Sequence, residues 1–264
     1  MGTFDPTCFA KWNVTNPSLK YGKNPPEHSP LTLRLDDYVE RSVLPAPEVR
    51  RGWEYAVPKG TYGMLGNDQV GNCVIAAVLH FIQIANANAG RVVTFTTEQA
   101  IQLYSDVTGY NPSDPSTDRG TAWTAMLEYW RTKGVYGHFI KAWAAFDYTD
   151  PVAYSQAIDI FEAALIGIQV TGSMEKQFAA HKPCAAPFKG GVKGGHGVPV
   201  AGYGSKGRRC VTWNSLWDMA PEADKQIDEA YVVVTDDVLN KLYQTPLGIN
   251  ATALAADIEA LRTK

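Results

Sequence analysis

Cysteine is scarce in this chain. The four present, Cys8, Cys73, Cys184 and Cys210, are too few for a disulfide framework, and no two lie at the short spacing of a metal-ligand pair. Free thiols in a reducing compartment are the simplest reading, and no metal or other cofactor is expected. The first 21 residues lack the apolar core of a secretory signal. The longest uncharged apolar run, residues 74–89, falls short of the roughly 20 residues that span a bilayer. These absences point to a cytoplasmic or virion-associated protein with no signal peptide and no membrane partner. Charge is modest, 19% of residues with a net charge of −3, and no basic cluster carries interleaved aromatics. Nothing therefore argues for nucleic acid as a partner. Internal repeats and low-complexity tracts are missing too.

What is present is enough chain, 264 residues at 45% hydrophobic content, for one large domain or two lobes sharing a cleft. Its centre is Gly66-Asn67-Asp68-Gln69-Val70-Gly71-Asn72-Cys73 and the apolar run that follows, closed by Gly90. The run predicts a helix buried on most faces, with Asn72 as N-cap and Cys73 as first helical residue. A thiol there meets the positive end of the helix dipole, which favours the thiolate nucleophile. Taken alone, Cys73 reads as a packed structural thiol. A chemical role needs partners downstream.

Residues 1–43 contain Pro25, Pro26 and Pro30 and read as an extended arm, with a short helix around Leu35 to Arg41. Leu44-Pro45-Ala46-Pro47 is a stiff connector, and Trp53, Tyr55 and Val57 alternate as an extended segment. Val92 and Val93 suggest a brief strand. Thr96 with Gln99 fits a capping box opening a helix over 98–107. Another helix is expected over 121–132, and Asp150-Pro151 starts one that runs to Leu165. Beyond it, the short apolar segments 166–170, 197–201, 209–213 and 230–234 read as an antiparallel sheet or small barrel. Residues 189–197 are a glycine-rich loop and 215–228 a charged one. The tail shows helical patterns at 236–243 and 252–262.

A thiol nucleophile needs a base to take its proton and return it to the leaving group. His196, in Gly194-Gly195-His196-Gly197 before an apolar strand, can face a cleft. Asn214, in Thr212-Trp213-Asn214-Ser215, can accept from the imidazole and fix its tautomer. His80 lies in the apolar helix as a hydrogen-bonded core residue, and His28, His138 and His181 sit in polar contexts. Trp123, Trp130 and Trp143 pack the helical half, Cys184 and Cys210 are structural, and Asp114 and Asp118 cap turns.

Cys73 opening a buried helix, then Gly195-His196-Gly197-Val198 leading to Ala201-Gly202-Tyr203-Gly204, Trp213-Asn214-Ser215 and a final Ala230-Tyr231-Val232-Val233-Val234 strand resemble papain-like cysteine peptidases. Residues 44–235 carry the resemblance, and 123 residues separate Cys73 from His196 and 18 separate His196 from Asn214. It implies an α+β fold: an arm over 1–43, prosegment-like in position, a helical lobe over 44–145, a β lobe over 146–235 and a helical tail over 236–264. The active site would lie in the cleft between the lobes. It also implies that Cys73 is the nucleophile, His196 the acid/base and Asn214 the orienter, in a hydrolase that cleaves peptides or acyl-amides through a thioester. The oxyanion would be held by the Cys73 amide and a side-chain amide, for which register favours Asn67 and reach favours Gln69. The chain departs from the family in lacking the neighbouring disulfide cysteine, in Val74 after the cysteine and in Leu216 after Asn-Ser. Trp217 stands ready to shield the Asn214–His196 bond. Two further readings use the same residues: a papain-fold structural protein with assembly partners, as in a virus particle, and a cell-wall amidase or acyl transferase.

Overall fold

The computed structural model describes residues 18–40, 43–244 and 248–261. Cys8, residues 1–17 of the expected arm, and the segment ends at Arg41 and Arg262 lie outside the described residues. In chain order the elements are β1 (Leu33–Arg34), β2 (Arg51–Gly52), α1 (Cys73–Asn88), α2 (Thr97–Thr108), α3 (Trp123–Thr132), β3 (Ala142–Ala145), α4 (Pro151–Phe161), β4 (Ala164–Thr171), α5 (Gly172–Ala179), β5 (Val192–Gly204), β6 (Gly207–Thr212), β7 (Ser215–Met219), β8 (Ile227–Val234), α6 (Asp236–Gln244) and α7 (Ala251–Leu261).

One sheet, in the order β1-β3-β8-β4-β5-β6-β7 with β2 beside β5, serves both halves. Every pairing is antiparallel except β1 with β3. Successive side chains alternate between its faces. Ala164, Ile166, Ile168, Val232 and Val234 enter one core together with residues of α4, α6 and α7. Leu165, Tyr231 and Val233 enter the other, with α1, α2 and α3. The fold is therefore α+β, a helical lobe followed by a sheet lobe, and α1 begins at the seam between them.

The apolar run explains α1: every side chain from Cys73 to Ile84 is buried, so the helix is held by packing all round. His80, inside it, is hydrogen-bonded to the Gly63 carbonyl at 3.2 Å. Helix α2 carries the expected capping box between Thr96 and Gln99 and ends at Gly109 in the left-handed region, φ 75°. Asp150 accepts from the amides of Val152 and Ala153 to start α4. Trp123, Trp130, Trp143, Cys184 and Cys210 are buried core residues.

Several expectations are corrected. Asn72 does occupy the N-cap position, with Cys73 first in the helix, but it makes no side-chain capping bond; its side-chain amide donates to the Leu65 carbonyl and ties down the preceding loop. Helix α4 stops at Phe161, because Glu162 turns to φ 68° and the apolar run from Ala164 completes a central strand. The segment at Trp53 is a 3-10 helix, Trp53–Ala56, and Val92 and Val93 form no strand. The charged stretch after Asn214 is not a loop but strand β7 and the 3-10 helix Pro221–Gln226. The expected glycine-rich loop is mostly strand: β5 begins at Val192, and its glycines permit close backbone approach, as the site shows.

Candidate active site

Cys73 sits at the start of α1 with its sulfur against β5 on both sides of His196. Its Sγ is 3.4 Å from the Gly197 amide and 4.0 Å from the Gly195 carbonyl oxygen. Gly197 permits this, since a Cβ there would lie 3.0 Å from both Val74 and Trp123. Helix start and strand thus bring the thiol against the backbone that flanks a residue 123 positions away.

The imidazole of His196 is buried and sandwiched. Trp213 stacks on it at 4.1 Å between ring centroids and 16° between planes, and Phe178 packs edge-on against Trp213. Nε2 lies 2.6 Å from Thr212 Oγ1, while Nδ1 has no hydrogen-bond partner among the described residues. Trp213, not Trp217, shields this bond; the Trp217 indole donates to the Lys182 carbonyl.

Asn214 is engaged elsewhere. Thr212 pairs with Ser215, so Trp213 and Asn214 form a two-residue hairpin turn with φ of 44° and 59°. Asparagine tolerates this left-handed geometry and a bulky Trp does not, so stacking on His196 must help hold Trp213 there. The turn aims Asn214 Oδ1 at the Gly63 amide, 2.8 Å away. Asn214→Ala is expected to orphan that amide and lower stability by about 1 kcal/mol, read as a lower denaturant midpoint, with little effect on any turnover.

Residues 20–24 run through the cleft, bonded to both walls. Lys20 N donates to Asn67 O, Lys23 N to Gly195 O, Asn24 N to Thr121 O and Thr121 N to Gly22 O, at 2.7–3.2 Å. Gly22 packs directly on Gly71; a Cβ on Gly22 would fall 1.6 Å from the Gly71 carbonyl oxygen. One on Gly195 would fall 2.4 Å from the Lys23 carbonyl oxygen. Tyr21 lies edge-on to both His196 and Trp213, and its hydroxyl donates to Glu175 at 2.6 Å. Asn67 is buried in the same groove, its amide donating to the carbonyls of Lys20 and Val70 at 3.3 Å, whereas Gln69 is exposed.

This filling sets the charge state. Burial pushes the Cys73 thiol up, only partly offset by the amides of Gly197, Gly22, Val74 and Lys23. Burial likewise pushes His196 down to about 3. With the cleft occupied these shifts favour neutral thiol and neutral imidazole, not the thiolate expected at the helix start. Gly22 and Lys23 offer amides to the sulfur, while the Gly22 carbonyl is turned to Thr121.

The sequence pointed to Cys73 and His196 but not to Thr212. The available signal was a Trp-Asn pair between two alternating strands, which is a hairpin turn and places Thr212 at the strand end beside the histidine.

No protein-family model matches this chain, and no curated protein matches its sequence. Solved structures do. Xylellain, a cysteine protease from Xylella fastidiosa, matches with a TM-score of 0.63 at 14% identity, over 84% of this chain and 98% of that one. Procathepsin B S9 from Trypanosoma congolense matches at 0.59 and 11%, over 82% and 87%. Digestive procathepsin L 3 of Tenebrio molitor larval midgut matches at 0.57 and 12%, over 83% and 77%. At these identities the likeness shows the fold, which is papain-like.

Proposed function

We propose that this chain is a thiol hydrolase of the papain-like type, a peptidase acting through an acyl-enzyme, and that residues 20–24 hold it latent. The observation that carries the reading is the placing of the Cys73 sulfur against β5 on both sides of His196. A packed structural thiol would not need a shielded histidine beside it. That histidine keeps one nitrogen on Thr212 and the other without a partner among the described residues.

With the cleft open, Nε2–H donates to Thr212 Oγ1, which leaves the Nδ1 lone pair to take the thiol proton. The sulfur attacks the substrate carbonyl carbon, and the oxyanion is met by the Cys73 amide and the Asn67 side-chain amide. Asn67 suits this role because its amide already meets a backbone carbonyl in the groove; Gln69, exposed, does not. The imidazolium returns its proton to the leaving amine as the C–N bond breaks and a thioester remains. Water, deprotonated by His196, attacks the thioester, and the thiol leaves with the proton. In this reading Thr212 takes the orienting role that sequence order gives to Asn214. Thr212→Val is expected to lower kcat by roughly tens-fold with KM little changed, measured in a variant with an open cleft.

The test is a panel of peptide and acyl-amide substrates run on an open-cleft variant, Gly22→Val, whose added side chain meets the Gly71 carbonyl oxygen, beside the same protein carrying Cys73→Ala. Hydrolysis that disappears with the thiol supports the reading, and equal turnover removes it. One observation favours a second reading, a papain-fold interaction protein: the cleft is filled and its thiol neutral. Absence of turnover from the opened protein across the panel would select it.

A further inference from the structure

Lys23, within the strap, has a side chain that is 0% exposed. Its Nζ lies 2.7 Å from Glu229 Oε1, 3.2 Å from Asp228 Oδ1 and 2.8 Å from the Asn24 carbonyl oxygen. The second Glu229 oxygen accepts from the Tyr231 hydroxyl at 2.9 Å, and Asp228 also accepts from Gln169. The stem passes over Gly167, where a Cβ would fall 2.4 Å from the lysine Cε. This is a slot shaped for a straight alkyl chain with a cation at its end.

The slot is fed from the cleft. Residue 23 bridges both walls, through Gly195 and Thr121, next to the residue that packs on Gly71 at the start of α1. A substrate chain placing a carbonyl at Cys73 must use the same two walls, and so would deliver one of its own side chains to the same opening. We infer that the pocket closed by Asp228 and Glu229 is a specificity pocket, and that the peptidase takes chains with lysine, or secondarily arginine, at the residue bonded to Gly195. This rests on the peptidase reading above. Two neighbouring carboxylates with limited solvent repel each other when the cation leaves, so a neutral side chain is a poor replacement.

Two measurements on the full-length protein test it. In Lys23→Ala the emptied slot should bind n-butylammonium, raising the melting temperature of that variant more than n-butanol does. Wild type and Lys23→Ala/Glu229→Gln should show no such selective rise. Equal shifts from the amine and the alcohol, or none, overturn the pocket. The second measurement is cleavage by Gly22→Val/Lys23→Ala, in which a side chain at residue 22 meets the Gly71 carbonyl oxygen and unseats the strap, of fluorogenic peptides carrying Lys, Arg, Leu or Glu in turn at the three residues on the acyl side. At one position Lys should exceed Leu by about tenfold or more in kcat/KM, a gap that Glu229→Gln closes. Cleavage with no such preference overturns the pocket. A butylammonium shift with no cleavage of any peptide leaves the pocket standing and removes the peptidase reading instead. Both measurements are repeated with Ser in place of Ala at residue 23, so a folding defect of the alanine variant does not decide them.

Discussion

Gly22→Val is expected to empty the cleft and raise the rate of Cys73 alkylation by about a hundredfold, the equivalent of ~2.7 kcal/mol. The Cβ would stand 1.6 Å from the Gly71 carbonyl oxygen, a backbone atom that cannot rotate away, so the strap must leave its seat. Its loss also changes the pH at which the thiol reacts. Burial is the largest cause of the raised Cys73 value, larger than the opposing pull of the amides. Readmitting water removes the larger influence, so the midpoint of alkylation moves down, toward or below the ordinary thiol value of about 8.5. Wild type should titrate above it. Site-resolved mass spectrometry after iodoacetamide treatment reads both effects, with buried Cys184 and Cys210 as internal controls. An unchanged Cys73 rate in a folded Gly22→Val protein would show that residues 20–24 do not guard the thiol.

In the opened background, Cys73→Ala is expected to abolish hydrolysis, a loss of about 10⁴-fold or more, and His196→Ala to cost nearly as much. The two losses should not add. Sulfur and imidazole act on one proton, and once either is gone the other has no step to assist. The double variant should therefore match the weaker single one. Steady-state kinetics on any peptide that the opened protein cleaves will show this, and a double variant about 10⁷-fold down would mean that the residues work in separate steps. The His196 variant adds a pH signature. His196 is now held at about 3 by burial, and with solvent admitted it should rise toward the usual imidazole range, giving the rate an acidic limb. His196→Ala should lose that limb.

How far the residues announced all this differs from place to place. The run from Val74 to Ile84 could only be a buried helix, and Thr96 with Gln99 could only open another; both depend on neighbours within one or two turns. Cys73 and His196 were picked out for a different reason, as residue types whose chemistry would need each other, and the Cys73 sulfur does lie against the strand that carries His196. The side chain beside that imidazole was not foreseen. Asn214 was chosen by order along the chain, but hairpin geometry decides where its side chain goes, and a tight turn after Thr212 hands it to Gly63. The glycines of 194–197 read as a loop because glycine usually marks one; here they serve a strand that another backbone must approach within contact distance. The strap through the groove depends on pairing with residues far along the chain, Thr121 and Gly195 among them, which no local pattern in Tyr21-Gly22-Lys23 signals.

The sheet shared by both cores limits how this molecule can breathe. Leu165 and Ile166, neighbours on one strand, are each sealed at 0% exposure, in different cores. Swinging the halves apart would have to strip one of those linings from its packing. On the proposal above, admission to the sulfur should depend on withdrawal of a thread, with the jaws themselves staying still, and a crystal of the opened protein should superpose on this one everywhere but along residues 20–24.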